Sequence, residues 1–437
     1  LMATGFLCAG VHPTQITISD AERLRYDALD DMLATTGSAM LGLTVGCARC
    51  HDHKYDPIPT RDYYRMLSAF KATVRTRVKL DLGAAPTDDG QPTLEPVMIC
   101  SEGEHIKAWR LHKSSRDIPD FYPELYFLEN GDPGRKGEVA EPGVLTVLTR
   151  TDQVPEERWP RTRVDERTSG NRAAFAAWMT DTEAGAGDLL ARVVVNRLWQ
   201  HHFGVGIVAT PNNFGSQGAR PSHPLLLDWL ASELIAQGWR LKPLHKLMVM
   251  SDTYRQGSAA SASAIARDPH NLALTRRAPR RLEVEAMRDA ALVAAGMLDR
   301  TLYGPGSLDE GSRRRTLYFT IKRSELVPSL QVFDWPDALT SQGRRTRTTT
   351  PSQALVLLNH PEYRRVAEAF AARVAESSDP ISAAYEIAFG RLPEAGEWIH
   401  AQGFVTEQTR SYSGDSLSAL TDFCAALLSA HEFAFVE

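Results

Sequence analysis

The strongest constraint on how this chain folds is a period. Leu227, Leu230, Ala231 and Leu234 stand at i, i+3, i+4 and i+7, which puts four apolar side chains on one face of a helix. Ser222 can cap that helix, Pro224 suits its first turn because it has no N–H to satisfy, and Gly238 suits its end. A second helix follows with Leu244, Leu247 and Met248 on one face. In "TPSQALVLLNHP" a capping box is expected: Thr350 accepts from the backbone three residues on, Gln353 reaches back, and Pro351 takes the first helical position. Pro361 then interrupts that helix. "DPISAAYEIAFG" closes on Gly390 as a left-handed cap, and residues 417–430 form a final helix. One short strand, residues 316–321, breaks the helical pattern.

Four stretches read as loops from their Gly, Pro, Ser and charge content: residues 83–96, 153–171, 257–264 and 303–312. The second is the best domain boundary, being long, charged and broken by Pro155 and Pro160. The expected organisation is a mixed N-terminal region over residues 1–152, a linker over 153–171 and a predominantly helical domain over 172–437. Strand-like segments at 78–82, 97–100 and 144–149 sit among helices in the first region. The fold class is therefore mainly α with a minor β component (α+β). At 43% hydrophobic and 24% charged residues, the chain can bury large cores. A net charge of −5 gives no reason to expect nucleic acid, and no apolar run is long enough for a transmembrane segment. The chain opens at Leu1 in what reads as the middle of a folded segment, so a missing N-terminal part is expected and a signal peptide cannot be judged.

Five cysteines are too few for a disulfide scaffold. Cys8, Cys100 and Cys424 stand among apolar neighbours and read as small buried hydrophobes. The other two lie in "GCARCHDHKYDP", where Cys47, Cys50 and His51 have the C-x-x-C-H spacing of c-type haem attachment. That chemistry needs two thiols to meet one porphyrin edge and an imidazole to reach the iron from the same side. Residues at i, i+3 and i+4 share a helical face and supply this geometry from one turn. His51 is the candidate proximal iron ligand, with an acceptor needed on its second ring nitrogen. Three alternatives compete. A zinc site could recruit Cys47, Cys50, His51 and His53, although four ligands within seven residues close tightly around one ion. A Cys47–Cys50 redox disulfide is possible, but without the βαβ context such pairs usually have. The last is a structural disulfide or a coincidence. His53 itself could ligate a non-haem metal, hydrogen-bond a haem propionate, or simply tie an Asp52/His53/Asp56 turn. Met40, Met66, His12 and His105 are chemically possible sixth haem ligands.

Taken together, "ATGFLCAG", "LDDMLATTGSAMLGLTVGCARCHDHKYDPIPTRDYYRMLSAF", "RVVVNRLWQHHFGVGIVATPNNFGSQGARPSHPLLLDWL", "LHKLMVMSDTYRQ", "RRTRTTTPSQALVLLNHP" and "AFGRLPEAGE" resemble a family of large exported planctomycete proteins. These pair a cytochrome-type domain of unknown function with a C-terminal partner domain, also of unknown function. The resemblance implies haem c on Cys47, Cys50 and His51, an exported, periplasmic or cell-envelope location, and a setting in polysaccharide catabolism. It supplies no catalytic residues. A small residue such as Ala is expected where Cys8 stands.

Other clusters carry less. His201 and His202 beside Trp199 and Phe203 read as the hydrogen-bonded end of a core helix rather than as ligands, and His223 beside Pro224 as a helix start. Arginines clump at 276, 277, 280 and 281, at 313–315, and at 344, 345 and 347. If they converge they can grip sulfate, carboxylate or propionate groups; singly, they read as solvated faces paired with acids such as Glu283 and Glu285. Gly204, Gly206, Gly215 and Gly218 do not have phosphate-loop spacing, and neither G-x-S-x-G nor H-E-x-x-H occurs. The leading expectation is an exported c-type haem protein with a redox role, passing electrons to an unknown partner or oxidising a sugar-like substrate. The alternatives are a zinc-dependent hydrolase or lyase of polysaccharide breakdown, and a non-enzymatic scaffold binding carbohydrate or an anionic glycan.

Overall fold

The computed structural model describes residues 5–7, 9–10, 19–81, 94–102, 124–152, 154–163, 168–336 and 341–436. Among the described residues helices dominate and strands form only short two-stranded pairs, so the chain is mainly α with a minor β component, as its periodicity predicts.

The chain begins with α1 (Ala21–Thr36), which runs into a single π-helical turn (Gly37–Leu41). A 3₁₀ turn (Val45–Arg49) and α2 (Thr60–Leu67) follow. Next come β1 (Thr73–Asp81) and β2 (Leu94–Glu102), antiparallel with Thr73 opposite Glu102 and Asp81 opposite Leu94. The expected strands at 78–82 and 97–100 fall in this pair, with residue 82 outside the described residues. A second hairpin, β3 (Tyr126–Leu128) and β4 (Lys136–Val139), carries no sequence signal because β4 is exposed throughout and cannot alternate.

Two expected strands are instead 3₁₀ turns, for one shared reason. Residues 144–149 contain the turn Thr146–Leu148, and residues 316–321 contain Thr316–Tyr318. In each, a carboxylate caps the threonine. Asp62 accepts from the Thr146 N–H and hydroxyl at 2.8 and 3.0 Å, and Asp289 accepts both from Thr316 at 2.7 Å. The capped backbone N–H is not left for a strand partner, and the chain turns.

The stretch expected to be a linker is tied down where it is described. It holds α3 (Pro155–Arg158), followed by Trp159, which is buried and donates its indole N–H to Asp181 at 3.1 Å. Beyond it lie α4 (Asn171–Thr180) and α5 (Gly187–Phe203). One hydrophobic core runs across this stretch: Tyr26, Leu29, Val45, Ala48, Tyr63 and Tyr64 pack in the same cluster as Trp159, Phe175, Trp178 and Leu190. The aromatic content of Trp159, Phe175 and Trp178 outweighs the local charge and draws the segment inward.

Helix α6 (Pro224–Ala236) buries Leu227, Leu230, Ala231 and Leu234 as its period predicts, and Pro224 opens it. Its cap residue is His223, not Ser222, whose hydroxyl donates instead to the Ile207 carbonyl at 3.3 Å. Helix α7 (Leu241–Met250) buries Leu244 and Met248 but leaves Leu247 at 38% exposure. The chain continues through α8 (Asp252–Arg255), α9 (Ala262–Arg267), the short β5 (Arg280–Arg281), α10 (Val284–Ala294) and α11 (Pro328–Gln331). Helix α12 (Pro351–Asn359) has the expected capping box, Gln353 Oε1 accepting from the Thr350 N–H at 3.3 Å. Pro361 ends that helix by starting the next, α13 (Pro361–Val374). Then come α14 (Pro380–Phe389), closed by Gly390, α15 (Ala395–Ser411), α16 (Ser416–Leu428), α17 (His431–Ala434) and β6 (Phe435–Val436), which pairs with β5. Phe370, Ala384, Phe423, Cys424 and Leu427 form the core of this last bundle.

Candidate functional site

The C-x-x-C-H segment starts in the 3₁₀ turn Val45–Arg49, with Cys50 capping its end and His51 in the bend beyond, so the single helical turn expected to carry both thiols and the imidazole on one face does not form. The spacing of the thiols still has a direct structural reading. In a 3₁₀ helix residues three apart eclipse. Val45 and Ala48 therefore share the buried side, while Cys47 and Cys50 share the exposed side. Both thiols are free. Arg49 anchors the turn from behind, its guanidinium donating to Asp27 at 2.6 Å and lying 3.4 Å from Asp30, both on α1. From α2, Tyr64 donates its hydroxyl to the Arg49 carbonyl at 2.9 Å, and Tyr63 donates to Asp30 at 2.5 Å. Burial and the Asp30 carboxylate push the Tyr63 phenol far up, so it remains a donor.

His51 is exposed, and its Nδ1 donates to the backbone carbonyl of Asp52 at 2.7 Å. In the neutral ring this bond selects the tautomer with the proton on Nδ1 and Nε2 as the acceptor. His53 is the opposite case. Only 5% of its side chain is exposed. Its Nδ1 accepts from the Asp56 N–H at 2.9 Å and the Tyr55 N–H at 3.3 Å, so the proton sits on Nε2, which donates to Thr44 Oγ1 at 3.0 Å. Both nitrogens are used in holding the turn. Asp52 helps, accepting from the Thr60 N–H at 2.8 Å at the start of α2.

Gly131 is a functional-site neighbour that sequence reading does not find, and Asp56, expected there only as part of the His53 turn, also reaches across the chain. Asp56 is buried and accepts from the Ser216 N–H at 2.7 Å, joining this loop to residues 210–218. A Cβ at Gly215 would come within 2.3 Å of Asp56, so glycine is what admits the carboxylate. Gly131, on the turn after β3, has φ +74° and leaves room for the Cys50 sulfur, which a Cβ there would meet at 2.9 Å. No local signal links positions 81 residues apart.

The donor set fits a c-type haem: two free exposed thiols one turn apart and an imidazole with Nε2 open. The four-ligand zinc set fits less well, because His53 has no nitrogen to spare. Among the described residues no three His, Cys, Asp or Glu side chains are grouped to hold a metal ion. Of the possible sixth ligands, Met66 is fully buried and Met40 is packed on the core; His12 and His105 lie outside the described residues, as does Cys8. Cys100 and Cys424 are buried, as expected, and burial pushes the Cys424 thiol up to about 12.

Most of the arginines are engaged by neighbours. Arg281 pairs with Asp334 at 2.7 Å, Arg345 grips Glu285 with bonds of 2.6 and 2.8 Å, and Arg315 meets Asp289 at 3.3 Å. Arg314 stacks on the Tyr318 ring at 3.9 Å. His202, at the end of α5, is hydrogen-bonded to His245 at 2.8 Å, and burial together with His245 pushes its imidazole down. His223 lies 3.0 Å from Ser222 Oγ at the start of α6.

Residues 171–405 match PSD1, a protein of unknown function (DUF1553), and residues 1–75 match PSCyt2, a protein of unknown function (DUF1549). The order is that of the domain pair the sequence resembles. No curated protein and no solved structure matches the chain. With more than half of its residues inside the first match, the chain belongs to the PSD1 family of proteins of unknown function and carries a PSCyt2 segment ahead of it.

Proposed function

We propose that this chain is an exported c-type haem protein with a redox, electron-transfer role, its haem carried by Cys47, Cys50 and His51. The observation that carries the reading is the pair of free exposed thiols at Cys47 and Cys50 followed at once by His51, whose Nδ1 is held by the Asp52 carbonyl at 2.7 Å and whose Nε2 is the ring nitrogen that bond does not use. Haem supplies one-electron chemistry when bound. The chain's part is to attach and orient it. Cys47 and Cys50 would hold the group through thioether bonds to its two vinyl carbons, and His51 would be its iron ligand. The Asp52 carbonyl holds the ring in position. Arg49, Asp27 and Asp30 hold the turn against α1, so the two sulfurs stay on the outer side. A periplasmic or cell-envelope location and a link to polysaccharide catabolism belong to the same proposal and rest on the family resemblance.

The test is a pyridine haemochrome spectrum and an intact mass of the protein matured with a haem-attachment system. Covalent haem in the wild type, absent from the Cys47→Ser/Cys50→Ser variant, is the expected result. A bare polypeptide mass for the matured wild type overturns the proposal.

A further inference from the structure

Three arginines of one sequence clump, Arg276, Arg277 and Arg280, line a single cleft with His202, Tyr254 and Asn271. The cleft is small and opens to solvent, and no carboxylate lines it. Each guanidinium carries five N–H donors, of which few are used here. Arg280 donates to the His201 carbonyl at 2.6 Å and so covers the negative C-terminal end of α5. Arg277 donates to the Tyr254 carbonyl at 2.9 Å and is held over the Tyr254 ring at 4.2 Å. Arg276 donates to the Asp268 and Pro269 carbonyls, each at 3.2 Å. All these acceptors are neutral. Among the described residues none of the three arginines forms an ion pair, in contrast to Arg281 and Arg345 nearby in the fold. A fourth, Arg347, brings its charge close enough to disfavour the charge on Arg280, after burial itself, and Arg277 does the same. Carboxylates act on the cluster only beyond ion-pair distance: Glu283 favours the charge on Arg280, and Arg276 favours the ionised Asp268 carboxylate. An oxyanion in the cleft would supply the close neutralisation that like charges held together call for.

The geometry points to a binding site for a tetrahedral oxyanion, phosphate or sulfate, free or as an ester, gripped by Arg277 and Arg280 at the end of α5. Arg276 completes the basic wall. The site does not depend on haem and is built from elements within the PSD1 match.

The test is calorimetric titration of the whole chain with sodium phosphate, sodium sulfate and methyl phosphate, against sodium chloride at equal ionic strength. Saturable binding is expected, weakened about tenfold or more in Arg277→Gln and in Arg280→Lys, since each loses forked charge-assisted bonds. Arg410→Gln, an exposed control on α15, binds as the wild type does. Binding of methyl phosphate assigns the site to an ester, and binding of the inorganic ions alone assigns it to free oxyanion. Should Arg280→Lys lower the melting temperature, Arg277→Gln decides the matter. No saturable heat with any of the three probes, or unchanged affinity in a folded Arg277→Gln protein, overturns the inference.

Discussion

His51 and His53 are two residues apart and should respond to alanine in opposite ways. At His53, alanine removes the acceptor for the Asp56 N–H and the donor to Thr44, in a side chain that is only 5% exposed. An unsatisfied buried amide costs about 1–3 kcal/mol, and the lost bond to a hydroxyl about 1 kcal/mol more. His53→Ala should therefore destabilise the apo-protein by about 2–4 kcal/mol. The same step also loosens Asp56, which holds Ser216 across the chain, so the damage should spread to residues 210–218. At His51, alanine deletes an exposed ring with one bond to an adjacent carbonyl, and the expected loss is below about 0.5 kcal/mol. The assay is urea denaturation of the two apo-variants followed by tryptophan fluorescence, with Trp159 and Trp178 reporting from the same core as the C-x-x-C-H turn. Equal midpoints for the two variants would refute the assignment of His53 to the fold and return it to the pool of candidate metal ligands.

Two further outcomes follow from the same geometry. Brief alkylation of the native apo-protein, read by peptide mass mapping, should label Cys47 and Cys50 and spare Cys100 and Cys424, which react only after unfolding; early labelling of Cys424 would contradict its burial. Acid should loosen the Trp159 region in a defined window: burial works to raise the Asp181 carboxyl, but Arg158, the Ala184 and Glu183 amides and the Trp159 indole together hold it down to about 2, from an ordinary 3.8. Because its folded value is the lower one, its contribution to stability is present above pH 3.8 and is lost as pH falls towards 2, and Asp181→Asn should flatten that part of a fluorescence titration.

Local patterns were readable without coordinates wherever one segment carries its own instruction. The α6 face is legible because four apolar side chains at helical spacing need only one surface to bury them. The Thr350/Gln353 box, the Pro351 start of α12 and the Gly390 end of α14 are equally local. The C-x-x-C-H cluster belongs to this class too: its spacing alone puts both thiols on one side of a turn. Short apolar runs are different, since residues 144–149 and 316–321 look like strands until Asp62 and Asp289, both distant in sequence, cap their threonines.

Contacts across the chain settled the rest. Whether His53 is a ligand or a strut depends on Thr44 and Asp56 meeting opposite sides of its ring. Whether the charged stretch around Pro155 swings free depends on where Trp159 finds a core and Asp181 finds a partner. The arginine clumps part company for the same reason: Arg281 and Arg345 meet carboxylates, while Arg276, Arg277 and Arg280 meet only carbonyls around a shared cleft. Composition and spacing say which chemical groups a chain owns, and a helix or turn is decided by neighbours a few residues away. Pairing and burial of a charged or titratable group depend on what packs against it, and that is a property of the folded chain alone.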